Sequence, residues 1–184
     1  FHPATAFFYA RGGGPALDLG PYYLTALVTV LGAITAVRSV ATVASTTRPI
    51  EVPTSPRRGE TIAVSVPTTV QALLGFAGGA TVSFVASWDA HNHGLPHIEL
   101  HGAEGSLRIP NPDWFGGELL LSRSPGVWES IRTDDQRFGR PNRTDEAGAA
   151  VADYRGLGLA EMARAIAEGR PHRASDKIAL HVAA

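Results

Sequence analysis

Asp18 and Tyr22 are the residues whose chemistry and spacing first suggest a functional site. They lie four positions apart, in a segment that follows three glycines and continues as an apolar helix. Residues at this spacing share one helix face, so a carboxylate and a phenol could hold a substrate hydroxyl between them. The same residues could also be a helix-capping aspartate and a half-buried tyrosine. Spacing alone favours this second interpretation, because capping residues are common and active sites are few.

The segment around this pair predicts an interrupted helix. Pro15 suits a first helical position, and apolar residues recur at helical spacing as far as Leu31. Pro21 inside such a helix would remove one backbone hydrogen bond and clash with the preceding turn, at a cost of about 3 kcal/mol. Gly20-Pro21 therefore predicts a kink or a new helix start, close to the shared face of Asp18 and Tyr22.

Histidines form a second group of candidates. His97, Glu99 and His101 alternate and would share one face of a strand, which is one way to bring metal ligands together. The chain has no cysteine and no tight histidine pair on a predicted helix, so a polar sheet face is favoured over a metal site. His91 and His93 follow a predicted strand beside Trp88. They are better candidates for contact with a ligand or at an interface.

Composition limits the classes of function. The 184 residues carry a net charge of −1, without the basic excess of a nucleic-acid-binding protein. No cysteine is present, which excludes disulfides and cysteine nucleophiles and is compatible with the cytoplasmic location that we predict. No apolar run approaches the roughly 18 residues of a membrane span. The sequence starts without Met or a signal peptide, so we expect it to be part of a longer protein.

The order of the elements predicts an α+β fold with an open, predominantly antiparallel β-sheet and helices packed on one face. Hairpin connections favour antiparallel pairing, and such a sheet can leave its other face for a partner. We expect an irregular aromatic segment over residues 1–14 and a long loop or mobile flap over 132–153. Predicted helices cover 15–31, 157–167 and 176–184. The predicted strands cover residues 34–46, 61–66, 69–76, 81–88, 97–101, 106–109, 118–122 and 127–131.

Three stretches stand out in this order along the chain: Gly12–Val28, Ile98–Leu107 and Tyr154–Met162. Together they resemble the C-terminal substrate domain of the Gfo/Idh/MocA oxidoreductases. His2-Pro3 also matches a segment that lies upstream of the first stretch in one subgroup of that family. The likeness runs the length of the chain and is specific for the family, but not for a substrate.

This resemblance implies a two-domain enzyme of which residues 1–184 are a single C-terminal domain. An N-terminal Rossmann domain, outside this chain, would bind NAD or NADP and supply the catalytic lysine of the family. The C-terminal domain would contribute substrate contacts and form a homodimer or homotetramer through its sheet face. A sugar, polyol or related small molecule is the implied substrate. Neither nucleic acid nor membrane is an expected partner.

The resemblance also implies roles for particular residues. The family's Asp-x-Gly-x-His pattern reads Asp18-Leu19-Gly20-Pro21-Tyr22 here, so Asp18 and Tyr22 are the expected catalytic residues. Tyrosine replaces the usual histidine, as in the glucose–fructose oxidoreductase branch. The expected substrate-binding residues are His2, Arg11, Tyr23, His91 and His93. No metal is implied.

The implied reaction is hydride transfer between a substrate carbon and the nicotinamide, with proton removal from the hydroxyl that is oxidised. A tyrosine phenol, with an ordinary pKa of about 10, is a weaker base near neutral pH than histidine. Either a neighbouring cation activates Tyr22, or the lysine of the other domain shares the proton and Tyr22 orients the hydroxyl. The alternative function is a non-catalytic module of this fold that binds a ligand or dimerises.

We expect residues 1–184 alone to have no dehydrogenase activity, because no Gly-x-Gly-x-x-Gly segment follows a predicted strand to hold a dinucleotide pyrophosphate. Purified chain mixed with NAD⁺ or NADP⁺ and a panel of sugars should give no reduced nicotinamide by absorbance. Turnover by the chain alone would contradict this expectation.

Overall fold

The computed structural model of the chain describes residues 2, 4–145 and 148–184. The chain divides into two compact units, residues 1–93 with 180–184, and residues 94–179. All strand pairs in the described residues are antiparallel. Helices combined with antiparallel sheets confirm the expected α+β class.

The elements follow the predicted order. The helices are α1 (Thr5–Tyr9), α2 (Pro15–Asp18), α3 (Gly20–Leu31), α4 (Leu157–Ala167) and α5 (Asp176–Ala183). The strands of the first unit are β1 (Ile34–Thr42), β2 (Thr47–Pro49), β3 (Thr61–Ala63), β4 (Thr69–Phe76) and β5 (Thr81–Ser87). Those of the second unit are β6 (Ile98–Gly102), β7 (Gly105–Ile109), β8 (Leu119–Ser124), β9 (Val127–Ile131), β10 (Arg143–Thr144) and β11 (Ala150–Val151).

Two segments expected to be irregular contain regular structure. The aromatic segment near the N-terminus forms α1, whose entry is stabilised locally because the Thr5 hydroxyl donates to the His2 carbonyl at 2.7 Å. The expected long loop contains the β10–β11 ribbon. Phe1, Pro3, Glu146 and Ala147 fall within these predictions but outside the described residues.

Two strands are shorter than predicted, because their backbones leave the sheet for other partners. Strand β1 ends at Thr42, and the Ala44 N–H donates to the Thr68 hydroxyl at 3.3 Å. Strand β3 ends at Ala63, and the Ser65 N–H donates to the Tyr9 carbonyl at 2.9 Å. The second bond attaches the end of α1 to the segment that follows β3.

The main sheet of the first unit has the strand order β1-β4-β5. Its inner face carries the buried side chains of Leu74, Phe76 and Ala86. Helix α2 contacts β4 and β5, and the first residue of α3, Gly20, lies against the Phe84 ring. The helices therefore cover this face of the sheet, as expected.

The outer face of the same sheet is exposed. Gln71 is paired with Val40 on one side and Val85 on the other, so the three side chains share that face. Val40, Leu73 and Val85 keep 68%, 62% and 54% of their surface exposed. A face with three apolar side chains among polar ones such as Gln71 is thus left uncovered within the described part of the first unit.

The second unit is built on a four-stranded meander with the order β6-β7-β8-β9. Both predicted hairpins are present, and the turn between β8 and β9 includes Gly126 at a positive φ of 76°. One face of the meander is apolar, with Ile98 buried. The other face carries the Glu99–Arg108 ion pair at 2.5 Å.

We expect Gly13→Ala to destabilise the protein by about 1–3 kcal/mol, because the added Cβ would overlap the carbonyl oxygen of Phe8. Gly94→Ala is a matched control, since nothing lies within 4 Å of its added Cβ. Urea unfolding of both variants measures the difference. Equal stability of the two variants would contradict the close approach of Gly13 to α1.

Candidate active site

A break in the helix lies between Asp18 and Tyr22. Pro21 has no N–H to donate, and the Tyr22 N–H bonds to the Leu19 carbonyl, three residues back, at 3.2 Å. Helix α2 therefore ends at Asp18 and α3 begins at Gly20, with proline in its first turn. The new helix start predicted at Gly20-Pro21 is confirmed.

The break changes the interpretation of Asp18. The residues at the N-caps of α2 and α3 are Gly14 and Leu19, and neither helix has a side-chain cap bond. The prediction that spacing alone favoured, a capping aspartate, is wrong. Within the described residues, no hydrogen bond or ion pair involves the Asp18 carboxylate, which is half-buried.

Tyr22 remains close to the same helical face as Asp18. Leu19, between them, has φ −96° and ψ −31°, within the right-handed helical region, so the four-residue spacing still corresponds to about one turn. The Tyr22 side chain is 45% exposed. A half-buried carboxylate and an accessible phenol are thus available on neighbouring turns.

The glycine segment positions these two turns. Gly14 has a φ of 101°, which disfavours a residue with a side chain, and its N–H donates to the Phe8 carbonyl at 2.9 Å. A Cβ at Gly14 would lie 3.2 Å from the Pro67 carbonyl oxygen. The glycines therefore let the chain pass between α1 and the segment before β4, and this passage fixes where α2 begins.

His2 lies at one end of an aromatic cluster formed by His2, Phe8, Tyr9 and Trp88. Its Nδ1 accepts the Ala4 N–H at 3.1 Å, and its ring contacts the edge of Phe8 at 5.3 Å between centroids. Trp88 contacts Phe8 at 6.3 Å and Tyr9 at 5.0 Å. The cluster joins the N-terminal segment to the end of β5.

Asp89, next to Trp88, is a structurally central residue that the sequence analysis missed. Its carboxylate forms an ion pair with Arg48 and accepts the hydroxyls of Thr68 at 2.6 Å and Thr69 at 2.8 Å. Its N–H donates to the Ser87 hydroxyl at 3.1 Å. The sequence signal was an acid directly after a strand, close to hydroxyl residues that begin the neighbouring strand.

These contacts determine the ionisation of Asp89. Burial by itself raises the pKa of this carboxyl, but hydrogen bonds from Thr68 and Thr69 and the Arg48 charge outweigh burial. The net result is a pKa below the ordinary value of 3.8. Arg48 also lies over the Tyr9 ring at 5.5 Å, so the Asp89 network supports the aromatic cluster.

The other predicted substrate-binding residues are also in the first unit. Arg11 is exposed in the loop after α1, and Tyr23 is half-buried on α3. His91 and His93 are exposed after β5. No hydrogen bond or ion pair in the described residues joins either histidine to Asp18 or Tyr22, so their roles in substrate binding stay predictions.

The alternating His97, Glu99 and His101 do not form a ligand set. His97 precedes β6, and Glu99 is paired with Arg108. His101 Nε2 lies 3.4 Å from Glu99, while its Nδ1 is hydrogen-bonded to Ser106 at 2.9 Å. Among the residues that the structure describes, no group of three potential ligands could hold a metal ion.

Comparison with solved structures defines the class of fold. Levoglucosan dehydrogenase, in complex with NADH and L-sorbose, superposes with a TM-score of 0.66 at 22% identity, over 93% of this chain and 46% of that one. An oxidoreductase domain protein from Kribbella flavida superposes with a TM-score of 0.63 at 21% identity, over 93% of this chain and 46% of that one. An aldose-aldose oxidoreductase from Caulobacter crescentus, complexed with glycerol, superposes with a TM-score of 0.61 at 18% identity, over 99% of this chain and 46% of that one. The present chain thus has the fold of about half of each of these oxidoreductases.

The sequence identifies the family. The GFO/IDH/MocA C-terminal domain family matches residues 2–108, which is more than half of the chain. This protein therefore belongs to the Gfo/Idh/MocA family, and the resemblance noted in its sequence is confirmed. No curated protein matches the sequence significantly. No helix in the described parts of the chain is long and apolar enough to cross a membrane.

We expect Asp89 to make stability depend on pH. Because its pKa is lowered in the folded protein, its stabilising contribution is complete above the ordinary carboxyl range and is lost as pH falls through 3.8 and below. At pH 7, Asp89→Asn should lower the free energy of unfolding by about 1–3 kcal/mol, because it removes the charged partner of Arg48. The free energy of unfolding of the variant should also fall less steeply at acid pH than that of the wild type.

Urea unfolding of the wild type and the variant between pH 3 and pH 7 measures both effects. Glu104→Gln, in the exposed turn between β6 and β7, is the control for removal of a surface charge. Identical pH profiles for Asp89→Asn and the wild type would contradict the stabilising role of the carboxylate.

Proposed function

We propose that this chain is the substrate domain of a nicotinamide-dependent oxidoreductase that acts on a hydroxyl or carbonyl group of a sugar, polyol or related small molecule. The observation that carries the proposal is the Asp18–Tyr22 pair, which occupies the family's motif and is not used for helix capping. Neighbours crystallised with NADH and L-sorbose or with glycerol support this class of substrate.

The dinucleotide belongs, in this proposal, to a Rossmann domain elsewhere in the same protein. A Rossmann pyrophosphate site needs parallel strands and a glycine-rich turn that opens a helix. All strand pairs in the described residues are antiparallel, and Gly13 and Gly14 are packed against Phe8 and Pro67. These residues do not fit a pyrophosphate, so the nicotinamide as hydride carrier has to come from that other domain.

Asp18 and Tyr22 act on the substrate hydroxyl. The half-buried Asp18 carboxylate accepts a hydrogen bond from the substrate and fixes its orientation. The exposed Tyr22 phenol contacts the hydroxyl that loses its proton, either as a base activated by a cation or as an orienting group beside the lysine of the other domain. His2, Arg11, Tyr23, His91 and His93 are proposed to complete the substrate site.

We also propose that the outer face of the β1-β4-β5 sheet joins copies of the protein into a homodimer or homotetramer. Val40, Leu73 and Val85 form an apolar surface there that is more than half exposed. Symmetric oligomers commonly bury the same face of both copies against each other. Burial of these side chains would remove a patch that is otherwise unfavourable in water.

We expect Tyr22→Phe to lower kcat at least about tenfold in the full-length protein, because it removes the hydroxyl that handles or orients the proton. Asp18→Asn should mainly raise KM, since the carboxylate is proposed to hold the substrate. The assay follows NAD⁺ or NADP⁺ reduction with a panel of sugars and polyols.

Tyr154→Phe is the matched control, because its hydroxyl donates instead to the Arg140 carbonyl in the second unit. Unchanged turnover in Tyr22→Phe would reject the role given to that residue. If the wild-type full-length protein turns over no substrate with either nucleotide, the non-catalytic module becomes the better account. If the pH dependence of kcat shifts in Tyr22→Phe, the result supports Tyr22 as a base. If the pH dependence keeps its shape, the result supports Tyr22 as an orienting group.

A further inference from the structure

The second unit contains a cavity of about 520 Å³ that the proposed function does not use. Small-ligand sites commonly occupy about 300–1,000 Å³. The cavity wall combines two phenyl rings with cationic and polar side chains. Its lining includes Phe115, Thr133, Gln136, Arg137, Phe138 and Arg173.

Neither arginine of this wall forms an ion pair, in contrast to the nearby Arg132 and Arg143. Arg132 forms an ion pair with Asp134 at 2.6 Å, and Arg143 pairs with Asp153. Within the residues that the structure describes, no carboxylate lies within 4.0 Å of the guanidinium of Arg137 or Arg173. Two positively charged residues therefore line a common space without an ion-pair partner, although the Arg173 charge contributes to lowering the pKa of Glu161.

The nearest candidate partner of Arg173 is already occupied. The Arg173 backbone N–H donates to Glu161 Oε2 at 3.0 Å, but the other Glu161 oxygen accepts the Arg170 guanidinium at 2.6 Å. Arg170 also pairs with Glu168 at 2.7 Å. These contacts hold the backbone of Arg173 at the cavity and leave its guanidinium to interact with a ligand.

The loop that carries Arg137 is held in place by its own contacts. The Gln136 N–H donates to the Thr133 carbonyl at 3.0 Å, and the Gly139 N–H donates to the Gln136 carbonyl at 3.1 Å. A Cβ at Gly139 would overlap the Thr133 carbonyl, so glycine is required at this close approach. The Phe138 ring contacts Tyr154 at 5.3 Å. The wall is thus formed before any ligand binds, which lowers the conformational entropy that is lost on binding.

The acids of this loop are engaged with other groups. Asp134 is paired with Arg132, and its carbonyl accepts the Arg140 Nε at 2.9 Å. Asp135 accepts the Gln136 side-chain amide at 3.1 Å. The cavity lining therefore combines two arginines with Thr133, and guanidinium and hydroxyl groups suit an oxyanion.

We propose that this cavity binds a small ligand that carries a carboxylate or a phosphate group. Arg137 and Arg173 hold the oxyanion, and the apolar part of the ligand lies against Phe115 and Phe138. The site consists of residues of the second unit alone and is independent of the function proposed for Asp18 and Tyr22.

Isothermal titration calorimetry on the full-length protein tests this proposal. The probes are inorganic phosphate, D-glucose 6-phosphate, D-gluconate and uncharged D-glucose. We expect at least one anionic probe to bind with a Kd of about 1 mM or lower. Arg137→Met and Arg173→Met should each weaken that binding at least about tenfold, since a charge-assisted hydrogen bond is lost. Arg58→Met, an exposed arginine of the first unit, should change it less than about twofold.

The probes separate the two oxyanions, because D-glucose 6-phosphate and D-gluconate share a sugar-like body and differ in the anionic group. D-glucose controls for binding at the substrate site. Circular dichroism checks folding, and the uncharged Arg137→Gln and Arg173→Gln replace any methionine variant that unfolds. Absence of binding by all three anions overturns the proposal, and so does equal binding to the wild type and the Arg137 and Arg173 variants.

Discussion

One carboxylate connects most of the first unit. Asp89 follows β5, its ion-pair partner Arg48 belongs to β2, and its hydroxyl donor Thr69 begins β4. Thr68, the second donor, is fully buried and also accepts the backbone N–H that follows β1. The aromatic cluster is connected to this network through Trp88, which precedes Asp89 in the chain and contacts Phe8 and Tyr9. Loss of the charge would therefore disturb three strands together with the segment that carries His2.

Much of the fold could be predicted from local patterns. Alternating residues and a glycine turn specified the β4–β5 hairpin, and the helix break followed from Pro21 alone. The end of β1 could not be predicted, because the alternation continues beyond Thr42 while pairing stops where β4 begins at Thr69. Helix α1 was missed for a similar reason, since its position depends on the long-range bond from Ser65 to Tyr9.

The candidate site residues could be chosen from the sequence, but the residues that hold the surrounding segments in place could not. Asp18 and Tyr22 could be selected because their spacing follows a family motif in which tyrosine replaces histidine, and their catalytic roles stay predictions. The capping interpretation failed because Gly14 and Leu19 occupy the N-cap positions. Asp89 carries no motif, and its importance arises from partners up to 41 positions away in sequence. Arg137 and Arg173 lie 36 positions apart in the sequence, and only the folded structure shows that they line the same cavity.

The order of strands has a kinetic consequence. The β6-β7-β8-β9 meander pairs each strand with the next one along the chain, so each pairing closes a short loop. The β1–β4 pairing instead encloses residues 43–68, including the whole β2–β3 ribbon. Chain entropy opposes closure more as the enclosed loop lengthens, by about 0.6 kcal/mol for each doubling. Contact order is thus low in the meander and higher in the sheet against which the helices of the candidate active site pack, which favours early formation of the meander during folding.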